Sequence, residues 1–306
     1  MPKYIFCQGC PASGKSTWAN KQIAKSKTSI VRINRDDIRR EMFNFHLWKD
    51  YKFTSAKENS VTEEVNSRIA KAAAKGLSII DDNTNLNNKY LVKSVDAARK
   101  LGYEVEFKTF FDVPLHELID RNLNRELSVP EDVIHRMFRA QLEIQGRIIK
   151  PNPALLDCVL VDVDGTIAHM GKGEKWGRGP FEWDKVLNDK PKTNVIKLVQ
   201  DLWTADNRII FLTGRDGVAI EDTKKWINLH VFNPLGITDA FSAREADIYI
   251  RTAGDMRPDC VIKEELLRAN ILPKYNVKFA LDDRNQMVDH YRALGIECWQ
   301  VDAGRF

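Results

Sequence analysis

The stretch Gly9-Cys10-Pro11-Ala12-Ser13-Gly14-Lys15-Ser16 constrains this chain more than any other, because of what flanks it. A short apolar run, residues 4–8, precedes it, and a helix-compatible run, residues 15–25, follows. Two glycines with four residues between them and Lys-Ser behind let backbone amides curl around phosphate oxygens at the mouth of a helix, which demands strand, tight loop and helix in that order. Lys15 can neutralise the β and γ phosphates, and the Ser16 hydroxyl can meet a phosphate-bound Mg²⁺. A second motif of the same kind of position, Asp162-Val163-Asp164-Gly165-Thr166, stands after another apolar run, residues 158–161.

Around these two anchors the pattern alternates. Residues 29–33, 77–80 and 104–111 read as further strands, with helices from Asp36 and over 61–75 and 89–101 between them. In the second half, strands fit 208–212, 278–281 and 297–301. Alternating strand and helix predicts an α/β fold with parallel sheets covered on both faces. Ser128-Val129-Pro130-Glu131 predicts a helix start capped by Ser128, leading into 133–149, and Pro151-Asn152-Pro153 must break that helix. The 306 residues suit two domains of about 150, and the boundary is expected there, giving 1–150 and 151–306.

Composition narrows the class. With 43% hydrophobic and 29% charged residues the chain is globular, its first apolar run is too short for a secretion signal, and no run approaches a membrane span. Five scattered cysteines, Cys7, Cys10, Cys158, Cys260 and Cys298, argue against a disulfide framework and for a reducing compartment, so a soluble intracellular protein is expected. Cys7 and Cys10 have redox spacing, but Cys10 falls inside the glycine loop and no second pair completes a zinc site. Residues 1–150 carry 26 Lys and Arg against 19 Asp and Glu, whereas 151–306 carry 21 against 24. The first half thus has the better claim to a polyanionic partner.

Phosphoryl transfer needs an acceptor site with a base. Asn34-Arg35-Asp36-Asp37-Ile38-Arg39 follows the second strand, on the sheet edge that carries the glycine loop. Asp36 or Asp37 can be the base and Arg39 can bind a phosphate on the acceptor; ordinary helix capping by Asp36 is the competing reading. Arg121 and Arg125, four apart, share one helix face and could close over a triphosphate. In the second half, Asp162 can attack phosphorus while Asp164 protonates the leaving oxygen and later activates water. Thr213-Gly214-Arg215 offers a hydroxyl to the phosphoryl group, Lys263 a positive charge, and Asp282-Asp283 carboxylates for Mg²⁺.

Residues 9–17 with Trp18, Asn34 to Arg39, Asp82-Asn83-Thr84-Asn85-Leu86-Asn87, and Arg121-Asn122 with Arg125 resemble the kinase domain of the bacteriophage polynucleotide kinase/phosphatase family. The resemblance implies that Gly9, Ser13, Gly14, Lys15, Ser16 and Thr17 bind ATP together with the lid arginines Arg121 and Arg125. It makes Asp36 the general base and places Arg39 on the acceptor's 3′ phosphate. The family's acidic substrate-site position falls among Asp81, Asp82 and Asn83, and Asp82 is taken for it. The second half resembles a haloacid-dehalogenase-type phosphatase throughout, and Arg178-Gly179-Pro180 and Asp259 resemble the 3′-phosphatase domain of the same phage family. By that likeness Arg178 and Arg215 bind substrate, Asp259 is essential, and Asp162, Asp164 and Asp283 hold Mg²⁺, with Ser16 as the kinase metal contact. The implied protein is a bifunctional end-healing enzyme of DNA and RNA. It would phosphorylate 5′ hydroxyls with ATP and remove 3′ phosphates, including 2′,3′-cyclic ones, through an aspartyl phosphate. The resemblance further implies a homotetramer without membrane attachment, a nucleic-acid ligase acting downstream, and the cytoplasm of an infected host cell if phage-encoded. A metabolite kinase fused to a small-molecule phosphatase, or a binding scaffold with dead sites, are the alternatives.

Overall fold

The N-terminal apolar run forms β1 (Lys3–Gln8), whose buried Tyr4, Phe6 and Cys7 fix it inside a sheet. After the glycine loop come α1 (Lys15–Ser26), β2 (Ile30–Ile33), α2 (Arg35–Phe43) and α3 (Ser55–Ala74). Then follow β3 (Ser78–Asp81), α4 (Asn88–Lys100), β4 (Glu104–Thr109), α5 (Leu115–Leu123) and α6 (Glu131–Ile144). The computed structural model describes every residue except 27, 28, 172, 176, 305 and 306. It divides into two units, Met1–Arg147 and Ile148–Phe306.

In the first unit the strands are all parallel in the order β2-β3-β1-β4, with Phe6 beside Asp81 and Ile33 beside Asp81 on the other flank. Side chains alternate across the sheet. Tyr4, Phe6, Ile33 and Ile79 pack under Ile38 of α2, Val61 and Ala72 of α3 and Val95 of α4, whereas Cys7 and Ile80 face Ala19 of α1. Burying each such large aliphatic side chain contributes on the order of 1.5–3 kcal/mol. Both faces are therefore covered, and the functional loops are confined to the carboxyl edge.

One helix departs from expectation at both ends. Ser128 does not cap α6: the helix starts at Glu131 behind Pro130, which forms no side-chain cap, and Asn122 holds the preceding turn by bonding Val129 through both N–H and C=O (3.0 and 2.8 Å). It stops at Ile144 rather than Ile149. Gly146 takes φ +66°, and Gly146 N–H and Arg147 N–H donate back to Glu143 and Leu142 carbonyls (3.0 and 2.8 Å), a Schellman ending that glycine permits.

The second unit opens with β5 (Leu156–Val161) and the two-residue strands β6 (Ala168–His169) and β7 (Lys190–Pro191). It continues through α7 (Thr193–Thr204), β8 (Arg208–Asp216), α8 (Ile220–Ile227) and β9 (Ala246–Arg251). It closes with α9 (Asp259–Leu266), β10 (Tyr275–Arg284), α10 (Asn285–Leu294) and β11 (Glu297–Gly304). Five parallel strands run β11-β10-β5-β8-β9. Val159 and Val161 of β5 pack with α7 and α8 residues such as Val199 and Trp226, while Cys158 and Leu160 meet Met287, Val288 and Tyr291 of α10. Strand β9, which the apolar-run reading passed over, is an edge strand of Ala-Asp-Ile-Tyr-Ile-Arg, half-buried and alternating. All five cysteines are free and buried. Among the described residues no helix is long and apolar enough to cross a membrane.

Candidate active sites

The glycine loop bends because Gly14 adopts φ +97° and Ala12 φ +64°, and it lies so close to the chain after β4 that a Cβ on Gly9 would sit 2.8 Å from the Phe110 carbonyl. Lys15 is buried and donates to the Gly9 and Cys10 carbonyls (2.9 and 2.6 Å) and to Ser13 Oγ (3.4 Å). Burial lowers its ammonium to about 8, against the pull of Asp82. Ser16 and Thr17 are exposed at the head of α1. A lysine partly stripped of water and pointed into a ring of backbone dipoles is stabilised by an arriving polyphosphate.

Helix α2 is capped by Asn34, whose Oδ1 accepts from Asp36 and Asp37 N–H (2.9 and 3.1 Å). Asp36 is thus spared the capping role. Its carboxyl is raised by burial against the pull of Arg39 and Arg125. Arg39 donates from Nη1 to Asp36 (2.6 Å) and from Nε and Nη2 to Glu58 (2.9 and 2.7 Å), so its fork is held on two carboxylates. Glu58 also accepts from Tyr51 Oη (3.0 Å) and Arg35 (3.3 Å), and these bonds, Arg39's first, bring its carboxyl down to about 2. Nothing local in the sequence marks Glu58, which reaches Arg39 from a different helix.

Of the three candidates at the end of β3, Asp82 and Asn83 line the cavity, whereas Asp81 is turned into the sheet edge, bonded to Asn83 (2.6 Å), Asn85 (3.0 Å) and Tyr4 (3.4 Å). Asp82 Oδ2 accepts from Arg32 (2.6 Å), and among the described residues its buried Oδ1 has no hydrogen-bond partner. Arg121 is paired with Glu117 (2.6 Å). A single cavity of about 1280 Å³ collects the glycine loop, Asp36, Arg39, Asp82, Arg121 and Arg125, together with Arg136 of α6.

In the second unit, Asp162 lies just past the end of β5 and Asp282-Asp283 near the end of β10. Their ligand oxygens fall within 4.8 Å of one another, and all three side chains are buried. Lys263 of α9, fully buried, donates to Asp162 (2.6 Å) and Asp282 (3.0 Å). Burial opposes its charge, but the two carboxylates outweigh that and hold it well above its ordinary value. Burial also pushes Asp162 up to about 7 and Asp283 up to about 6. Three buried carboxylates around one ammonium are a surplus of negative charge in a dry place, and oxygen-only donors at this spacing suit a hard divalent cation. Gly165, at φ +81°, is required here: a Cβ would fall on the Asp283 carboxylate.

Asp164 stands apart from that trio. Its carboxylate accepts from Arg178 (2.7 Å) and from Arg215 Nη2 and Nε (2.6 and 3.1 Å), and the third carboxylate clustered with Asp162 and Asp283 is that of Asp282. Both arginines are buried and share a second carboxylate that sequence reasoning missed, Asp189. It accepts from Arg178 Nε and Nη2 (both 2.8 Å) and Arg215 Nη2 (2.6 Å). Thr213 is buried in β8, and the register shift between Thr213 and Asp216 turns the chain where Arg215 reaches Asp164. Gly214 is there because Asp259 presses on it: an added Cβ would overlap that carboxylate. Asp259 in turn bonds Arg251 (2.6 Å) and Arg284 (2.9 Å); burial works against its charge, but Lys263, Arg284 and Arg251 hold it below the usual carboxylate value.

A triphosphate loop facing an acidic acceptor pocket, and an Asp-x-Asp site with Lys and clustered carboxylates, together define a P-loop kinase joined to a haloacid-dehalogenase-type phosphatase. Residues 5–144 match the family described as an AAA domain, and residues 156–306 match the polynucleotide kinase PNKP phosphatase domain. Together with the two sites, these matches support a polynucleotide kinase/phosphatase. The chain is 28% identical over 305 residues to a protein of Autographa californica nuclear polyhedrosis virus named as a bifunctional polynucleotide kinase/RNA ligase, covering 94% of this chain and 40% of that one. It is 27% identical over 138 residues to the L-seryl-tRNA(Sec) kinase of Methanococcus maripaludis, covering 44% of this chain and 50% of that one. The chain thus spans half or less of these relatives' lengths. A chain in the solved structure of the Pnkp1/Rnl/Hen1 RNA repair complex aligns over 100% of this chain and 97% of its own, with 26% identity and a TM-score of 0.43.

Proposed function

We propose that the chain heals broken nucleic-acid ends, phosphorylating 5′ hydroxyls with ATP and hydrolysing 3′ phosphates, including 2′,3′-cyclic ones. The observation that carries the kinase half is the lining of one cavity by the glycine loop, Asp36, Arg39 and Arg125, residues spread over more than a hundred positions. In this reading Asp36 takes the proton as the 5′ oxygen attacks the γ phosphorus, and the bond to the β phosphate oxygen breaks. Lys15, Arg121 and Arg125 hold the charge that moves onto the leaving diphosphate. Arg39 holds the acceptor's 3′ phosphate, with Asp82 at the same pocket.

At the second site, an Asp162 oxygen bonds to phosphorus as the bond to the sugar 3′ oxygen breaks, and Asp164 supplies that oxygen's proton. Water activated by Asp164 then releases phosphate from Asp162. Arg178 and Arg215, which clasp Asp164 here, transfer to the substrate phosphate and free Asp164 for proton transfer. Lys263 and Thr213 face the transferred group, and Asp259 positions the Gly214 turn. Mg²⁺ would supply charge neutralisation at both sites, where Asp162, Asp283 and the Asp164 segment would hold it at one and Ser16 at the other.

The family match over residues 156–306 supports polynucleotide ends as substrate. The viral relative's name includes an RNA ligase, which supports a ligase as the next enzyme on the healed ends. The test is incubation of an oligonucleotide bearing a 5′ hydroxyl and a 3′ phosphate with ATP and Mg²⁺, both ends read by mass spectrometry. Conversion of both supports the reading. Conversion of a free nucleoside as readily as of the oligonucleotide would instead make this a metabolite kinase.

A further inference from the structure

The connection from α2 to α3 is unusually aromatic and lies against the acceptor side of the kinase cavity. Residues 44–54 contain one short turn, Trp48–Asp50, and are held by Phe45 and Tyr51, buried with Leu127 beneath them. Phe45 packs on Tyr51 at 4.7 Å and on Trp48 at 5.2 Å between ring centroids. On this base sits Phe53. It stacks on Trp48 (5.7 Å, 24°), meets Tyr51 edge-on (4.7 Å, 88°), and lies 5.7 Å from the Arg39 guanidinium. Yet Phe53 is 59% exposed where it lines the cavity, and Leu47, on the same lining, is 43% exposed.

Isolated exposed apolar side chains are ordinary on protein surfaces. This one is different in three respects: it is braced by two aromatic neighbours, it borders a catalytic cavity, and it touches the arginine assigned to the acceptor's phosphate. A ring held rigid beside a phosphate-binding cation matches the two chemical faces of a nucleotide, a π surface and an anion. Base stacking on such rings is tolerant of base identity, as an enzyme acting on any end requires.

We propose that Phe53, braced by Trp48 and Tyr51, is the platform on which the 5′-terminal base of the acceptor stacks while Arg39 holds the adjoining phosphate. The inference rests on the end-phosphorylation reading above, and it adds a specificity-determining residue: the site selects nucleotides over plain sugar phosphates.

The test compares the full chain with Phe53→Ala, Phe53→Leu and Phe53→Trp on two eight-nucleotide acceptors, one normal and one abasic at the 5′-terminal sugar. Stacking is typically worth about 1–3 kcal/mol per base, which is roughly 5- to 150-fold in acceptor kcat/KM. The expected result is a loss of that size for Phe53→Ala and Phe53→Leu on the normal acceptor, little loss for Phe53→Trp, and an unchanged KM for ATP. Removing the base should cost the natural chain a similar factor and cost Phe53→Ala nothing more. If Phe53→Ala does not fold, the natural chain and Phe53→Leu still decide the matter. Equal use of both acceptors by the natural chain, or an alanine penalty that persists on the abasic acceptor, overturns the platform while leaving the kinase reading intact. Phosphorylation of neither acceptor overturns both.

Discussion

Asp189 offers the sharpest perturbation, because it is a buried carboxylate shared by two buried arginines. Asp189→Asn keeps the shape and removes the charge. Three charge-assisted bonds, at 2.8, 2.8 and 2.6 Å, lose their ionic character, and Arg178 and Arg215 are left with Asp164 as the carboxylate they share. Deleting one member of a buried charged network typically costs about 3–5 kcal/mol, since the partners stay desolvated and unpaired. At about 2–4 °C per kcal/mol for a domain of roughly this size, the unfolding transition of the second unit should fall by about 6–20 °C. The amide N–H₂ would also face guanidinium, so Arg178 and Arg215 should turn away from position 189 and tighten on Asp164, their remaining carboxylate, and 3′-phosphatase turnover should drop sharply because they then hold the acid instead of the substrate phosphate. Differential scanning calorimetry of the full chain, with both activities measured on the same preparation, checks this. A transition within 2 °C of the natural chain (on the order of 1 kcal/mol or less by the same conversion), with phosphatase turnover intact, would refute the idea that Asp189 organises the arginines.

Glu58→Gln should release Arg39 from one of its two carboxylate partners, Asp36 remaining the other, while leaving the glycine loop untouched. Loss of a hydrogen bond to a charged group is worth about 1.5–3 kcal/mol, so acceptor KM should change by roughly 10- to 150-fold at constant KM for ATP, as steady-state kinetics with the two substrates varied separately will show. Asp36 must be ionised to accept a proton, and burial raises its carboxyl above 3.8. Kinase kcat/KM should therefore fall with decreasing pH along a limb lying above that value; a pH profile flat down to 3.8 would exclude Asp36 as the base.

The parts of both sites that follow a strand in short, dense motifs were legible in the sequence. The glycine loop needs its residues consecutive, and Asp162 to Thr166 likewise. Both sheets could be inferred from their buried central strands, because β1, β5 and the core of β10 are continuous apolar runs. Strand β9 escaped because an edge strand half exposed to water has no such run. The start and end of α6 differ for a related reason: Asn122, from α5, fixes the turn at Val129 so that the helix begins behind Pro130 with no side-chain cap, and Gly146 ends it. Glu58 and Asp189 were invisible because each acts through arginines 19 and 11 or 26 positions away. A lone acidic residue in a helix or loop carries no local sign of the cation that folding will bring to it.

Reciprocal inactivation on one substrate shows whether one chain carries two chemically separate phosphate sites. An oligonucleotide with a 5′ hydroxyl and a 3′ phosphate is incubated with ATP, Mg²⁺ and either Lys15→Ala or Asp162→Asn, and the mass of each end is followed. Lys15→Ala should leave the 5′ end bare while removing the 3′ phosphate at the natural rate, and Asp162→Asn should add the 5′ phosphate and keep the 3′ one. Loss of both activities from either folded variant would contradict that separation.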